Sequence, residues 1–109
     1  MEQSENISKS ATSNYNYRII PRYGVYSENG KIVLQVSLPG VHKEDISVKA
    51  LKDYVQLRAP RSDTLYYLDL DLGIDIEPEK TTTTYNEGLL RVEFYRYNPL
   101  EHAYEVKIE

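Results

Sequence analysis

Between Arg22 and Phe94 the apolar side chains recur with a period of two, in short runs separated by turn residues. No window holds the longer period of an amphipathic helix, so strands must carry the fold. The clearest run is Lys31 to Leu38, with Ile32, Leu34, Val36 and Leu38 on one face and Lys31, Gln35 and Ser37 on the other; Val33 breaks the pattern once. Ser27-Glu28-Asn29-Gly30 precedes it with an Asn-Gly turn signal, which folds Arg22 to Tyr26 back onto that strand as a hairpin. Leu38-Pro39-Gly40 ends the run.

Similar units follow. Ile46 to Leu51 keeps Ile46, Val48 and Ala50 in phase, Lys52-Asp53 turns, and Tyr54 to Ala59 keeps Val55 and Leu57 in phase. A loop is expected over Pro60 to Thr64. Leu65 to Leu72 then sets Tyr66, Leu68, Leu70 and Leu72 against Leu65, Tyr67, Asp69 and Asp71. Ile76 to Lys80 suits one helical turn around Pro78. Thr81 to Tyr85 is β-branched, Asn86-Glu87-Gly88 can turn, and Leu90, Val92 and Phe94 mark the core face of a last strand. About seven strands at roughly 8 to 12 residue spacing predict an all-β fold, an antiparallel β-sandwich with an immunoglobulin-like outline.

The chain has 109 residues and no cysteine, which fits one domain and leaves no disulfide or thiolate metal site. The expected organisation is a disordered polar arm over 1–16, a body over 17–95 and a C-terminal extension over 96–109. The arm has too few apolar groups to offset the entropy of ordering it. A net charge of −4 argues against nucleic acid or an anionic membrane as the main partner. The longest aliphatic run, Ile32-Val33-Leu34, is far short of the ~20 apolar residues of a membrane span. Met1 to Asn14 lacks the apolar stretch of a secretory signal, so a soluble, cytoplasmic protein is expected.

No constellation reads as an active site. Asp69 and Asp71 fall on the polar face of one strand, and Asp69-Leu70-Asp71-Leu72-Gly73 is only a fragment of a calcium loop. A small carboxylate hydrolase requires both to be buried in a cleft. His42 and His102 supply at most two imidazoles for a metal, so none is expected. There is no nucleophile elbow, and the glycines stand apart from one another at turns, so no phosphate loop or cofactor is expected. Tyr95-Arg96-Tyr97 and Tyr15-Asn16-Tyr17-Arg18 interleave aromatics with cations as single-strand binders do, without a basic stripe to support them.

Leu38-Pro39-Gly40-Val41-His42-Lys43-Glu44-Asp45-Ile46-Ser47-Val48 resembles the LPGV-x-KEDI-x-V phrase of the small heat-shock protein (α-crystallin domain, Hsp20-like) family. Thr83 to Leu90 follows that family's A-x-x-x-N-G-V-L hallmark, keeping Gly88 and Leu90. Pro21 to Ser27 stands at its P-x-x-D-[IV]-Y-E opening, and the likeness runs in order from Pro21 to Phe94. Leu38, Pro39, Gly40, Gly88 and Leu90 are thereby structural motif residues. Val106-Lys107-Ile108 is similar to the Ile-x-Ile/Val motif with which many members dock into a neighbour's groove.

The resemblance implies a non-enzymatic, ATP-independent holdase of the stress response, which binds unfolding client proteins and self-associates through its tail. The groove it implies lies between the strand Ile46 to Leu51 and the strand Thr81 to Tyr85, with Ile46, Val48, Ala50, Thr82 and Thr84 as its residues. Arg96 to Glu105 could span roughly 33 Å when extended, enough to reach a second subunit. Three departures stand out. Where bacterial and archaeal members carry a long loop that swaps between subunits, only Pro60 to Thr64 separates the strands, and Leu68 replaces the arginine usual in the following strand. The family's N-terminal arm is typically longer and apolar. The short polar arm over 1–16 together with the missing swap loop keeps a p23/CS-like co-chaperone or adaptor module that docks to one folded partner open as the alternative.

Overall fold

The computed structural model describes residues 15–109, so the arm expected over 1–16 lies outside the described residues apart from Tyr15 and Asn16. The described chain forms eight strands: β1 Tyr17–Ile19, β2 Tyr23–Glu28, β3 Lys31–Ser37, β4 Ser47–Ala50, β5 Tyr54–Arg61, β6 Thr64–Asp71, β7 Thr82–Asn86 and β8 Leu89–Tyr95. Short 3-10 turns occupy Lys43–Asp45, Pro78–Lys80 and Pro99–His102. The strands make two four-stranded sheets, ordered β1-β6-β5-β4 and β2-β3-β8-β7, and the sheets pack as the expected sandwich.

The core follows the alternation. In one sheet Ile32, Leu34 and Val36 of β3 stand in register with Phe94, Val92 and Leu90 of β8. From the other sheet Val55, Leu57, Ala59 and Leu68 meet them, and Leu38, Val41 and Ile76 close the ends. The β2–β3 hairpin turns at Asn29 and Gly30, both with positive φ, which matches the right-handed twist of the two strands.

Three expectations need correction. Pro60 to Thr64 is not a loop: β5 runs to Arg61, β6 begins at Thr64, and only Ser62 and Asp63 turn between them. Pro60 is tolerated because its missing N–H faces the β4 side of β5, beyond Ser47, the first residue of β4, which stands opposite Arg58. The sandwich is also not wholly antiparallel, since β1 runs parallel to β6, with Tyr17 opposite Thr64 and Ile19 opposite Tyr66. Finally, the body begins before Tyr17: the Asn16 and Tyr17 amides both donate to the Asp63 carbonyl, at 2.9 and 3.1 Å.

Candidate functional site

β4 and β7 are edge strands of different sheets, and an open groove of about 480 Å³ lies between them. Ile46, Val48, Thr83, Tyr85 and Leu90 line it, and Lys43, Thr84 and Asn86 add polar groups. Ile46, Val48 and Tyr85 also pack against the core, so the groove is continuous with the interior of the sandwich.

The Leu38 to Val41 segment holds one end of this groove in place. The Tyr85 hydroxyl lies 2.7 Å from the Leu38 carbonyl and 2.8 Å from that of Val41, which pins its ring across the gap between the sheets. Leu38 N donates to the Gly88 carbonyl at 2.7 Å. Gly88 has φ of 82°, and a Cβ there would stand 3.2 Å from Pro39 Cα. Gly40, with φ of 80°, leaves space for the Arg61 side chain, whose Nη1 donates to the Pro39 carbonyl at 2.7 Å. Leu38, Pro39, Gly40, Gly88 and Leu90 thus form one junction beside the groove.

Of the residues expected in the groove, Ile46, Val48 and Thr84 border it. Ala50 shares their strand face and packs on the core instead, beyond the groove. Thr82 is out of phase: it stands in register with Glu93 on the outer face of its sheet. The inward phase of β7 is set by Val92 and Leu90, whose partners are Thr83 and Tyr85. Sequence reasoning missed both by one position. Tyr85 was the available signal, since alternation counted back from the one large side chain of this strand reaches Thr83.

The tail is free. Val106 is 69% and Ile108 88% exposed, so neither fills the groove of its own chain. The extension is less free than its length suggests, and the reach expected from Arg96 onward is corrected here. Ile76 bridges to Arg96, and Tyr97 N donates to the Asp75 carbonyl at 3.0 Å. His102 Nε2–H donates to Glu77 Oε2 at 2.6 Å, and the His102 ring stacks on Tyr97 with centroids 5.0 Å apart. Lys80 Nζ reaches Glu101 Oε1 at 3.0 Å. The hydrogen bond from His102 holds the Glu77 carboxyl below its ordinary range, against the opposing effect of burial. Residues 96–102 are therefore fastened to the body, and the tail leaves it at Ala103.

Glu77, Glu101 and His102 bring one ligand atom each within 4.8 Å of one another. Lys80 already pairs with Glu101 and His102 is hydrogen-bonded to Glu77, so the cluster closes on itself as a staple. Asp69 and Asp71 are exposed and occupied elsewhere. Asp69 accepts both Nη groups of Arg58, and Asp71 accepts the Gly73 amide, so neither faces a cleft. No helix among the described residues is long and apolar enough to cross a membrane.

No protein-family model matches the chain. A curated relative, a probable 15 kDa heat shock protein from Leptospira interrogans, is 25% identical over 123 aligned positions, covering 99% of this chain and 95% of the relative. Among solved structures, heat shock protein 16.0 from Schizosaccharomyces pombe superposes with a TM-score of 0.65 at 17% identity, covering 83% of this chain and 98% of the other. A small heat-shock protein from Xylella fastidiosa gives a TM-score of 0.65 at 17% identity, covering 83% and 94%. The chain thus has the α-crystallin-type sandwich of these small heat-shock proteins and is similar to the Leptospira heat shock protein along nearly all of its length.

Proposed function

We propose that the chain is an ATP-independent holdase whose β4–β7 groove takes extended apolar segments of unfolding proteins and, between such encounters, the Val106-Lys107-Ile108 tail of a neighbouring subunit. The observation that carries this reading is the coexistence of an open groove and an unfilled tail of matching period. Val106 and Ile108 share one face of an extended chain about 6.6 Å apart, the spacing of Ile46 and Val48. Burying the two side chains contributes about 1.5 to 3 kcal/mol each before the cost of ordering the tail, so one docking is weak and reversible. Several dockings in a closed assembly add through effective concentration.

Clients enter by the same physics. An unfolding chain offers apolar side chains and unpaired backbone, and the groove between two edge strands receives both without bond making. The role proposed is non-enzymatic and cytoplasmic. The test is a light-scattering assay with a heat-labile client at stoichiometric ratio and without nucleotide, paired with a native mass. Suppression by an oligomer supports the holdase. The two-residue turn at Ser62-Asp63, which lends no strand to a neighbour, favours a second reading as a p23/CS-like adaptor for one folded partner. A monomer without suppression supports that reading.

A further inference from the structure

Among the described residues β2 pairs only with β3, so one whole side of Tyr23–Glu28 is an open backbone edge there. Tyr23 and Val25 belong to the inward phase of this strand, opposite Val36 and Leu34, yet they are 43% and 46% exposed. The sandwich is open on this side. The edge is also legible in hydrogen bonds. A two-residue hairpin turn makes Glu28 and Lys31 a bonded pair, and the Arg22 carbonyl accepts Ser37 N at 2.9 Å at the far end of the same register. Arg22, Gly24, Tyr26 and Glu28 thus spend their backbone groups on β3, while those of Tyr23, Val25 and Ser27 point outward.

We propose that two copies of this chain pair antiparallel along β2 with Val25 on the two-fold axis. In that register every outward-pointing residue meets another: Val25 faces Val25 of the second copy, and Tyr23 faces Ser27 in both directions. The positions between them are the closer, non-hydrogen-bonded pairs. There Arg22 faces Glu28 of the second copy and Glu28 faces its Arg22, opposite charges at both ends of the strand. Arg22 has no ion-pair partner among the described residues, and the Glu28 side chain keeps 42% exposure despite its contact with Arg91. Gly24, with open space where a Cβ would stand, faces Tyr26 of the second copy, so the bulkiest outer side chain meets the smallest.

Other registers lose these features. A slide of two residues one way sets Ser27 against Pro21, which has no N–H, and the other way sets Tyr23 against Asn29 in the turn. Either slide also parts Arg22 from Glu28. Pro21 and the Asn29-Gly30 turn bound the edge, and self-complementary charge selects its occupant as a second copy rather than an arbitrary strand. The surface lies on a strand that takes no part in the tail's groove, so pairing here and docking there are independent.

The absence of cysteine makes the test clean. In full-length chain carrying Val106→Ser and Ile108→Ser to silence the tail, Val25→Cys is expected to form a disulfide dimer on mild oxidation, because facing residues in a bonded pair stand about 5.5 Å apart at Cα. Ser27→Cys alone should stay uncrosslinked, and a mixture of Ser27→Cys with Tyr23→Cys should crosslink. By sedimentation, Val25→Pro should weaken association about tenfold or more while leaving the β2–β3 ladder intact. Arg22→Glu should do the same, and Arg22→Glu with Glu28→Arg should restore it. A folded Val25→Pro variant that associates as before, Ser27→Cys crosslinking as readily as Val25→Cys, or a tail-silenced chain that stays monomeric throughout would overturn the proposal.

Discussion

His102 and Glu77 stand 25 positions apart in sequence and 2.6 Å apart in space, and their contact decides where the C-terminal tail becomes free. Glu77 is the one charged residue counted among the buried positions of the described chain. A buried carboxylate held by an imidazole that is itself stacked on Tyr97 fixes the direction in which Ala103 to Glu109 departs. His102→Ala is therefore expected to release residues 96–102 without unfolding the sandwich. Amide exchange at Tyr97 and Glu101 should quicken strongly while exchange in β3 and β8 stays as slow as before. Equal protection at Tyr97 in both proteins would remove the staple from the mechanism.

Acid should weaken the fold through two carboxylates. The hydrogen bond from His102 lowers the Glu77 pKa, and hydrogen bonds from Arg91 and then Lys31 lower that of Glu93. Below their ordinary value near 4.5 the unfolded chain binds protons that the folded chain refuses. The stability they contribute is complete above that value and is lost as pH falls through the depressed folded pKa. Urea midpoints of the parent should fall over this acid window, and Glu77→Gln should flatten the fall. An unchanged acid limb in Glu77→Gln would contradict the assignment.

Two turn glycines should respond differently to alanine. Gly30 and Gly88 both have positive φ, so each substitution carries about 1 to 2 kcal/mol of backbone strain. Nothing lies within 4 Å of a Cβ at Gly30, whereas at Gly88 the Pro39 backbone stands 3.2 Å away and has little freedom to yield. Chemical denaturation should show Gly88→Ala to be the more destabilising of the two. Equal costs would mean that the junction beside the groove is looser than its contacts indicate.

Phe94 is fully buried between the sheets, so its truncation removes packing from both of them. Phe94→Ala should cost about 3 to 5 kcal/mol in a urea titration. A loss below about 1 kcal/mol would show that the sandwich closes over the gap.

The strands were legible because a half-buried strand writes its burial into alternating residues, and Ile32, Leu34 and Val36 do so without ambiguity. Val33 was not legible. It is fully buried on the outer face, in register between Tyr26 and Glu93, where Gln35, Tyr26, Arg91, Glu93 and Lys31 join in a polar network over the sheet. An outer-face residue shielded by long polar side chains looks like a break in period. β1 escaped notice for another reason: Tyr17–Ile19 is too short to show alternation, and its pairing with β6 depends on Asp63, which is remote in sequence.

The groove was half legible. Ile46 and Val48 follow from the phase of β4, but four consecutive threonines carry no phase of their own, and only pairing with β8 reveals which of them turn inward. The staple joining Glu77, His102 and Tyr97 had no local signature, because each residue alone reads as surface.

The most direct measurement of the central claim compares the parent with Val48→Asp in suppressing thermal aggregation of a labile client, at equal subunit ratio and without ATP. Val48 is partly buried at the groove, so circular dichroism must first show that the variant keeps the sandwich. Expected is strong suppression by the parent and loss of most of it in Val48→Asp, since a carboxylate among Ile46, Tyr85 and Leu90 repels apolar segments. Equal suppression by both proteins, or none by the parent, would contradict a chaperone that works through this groove.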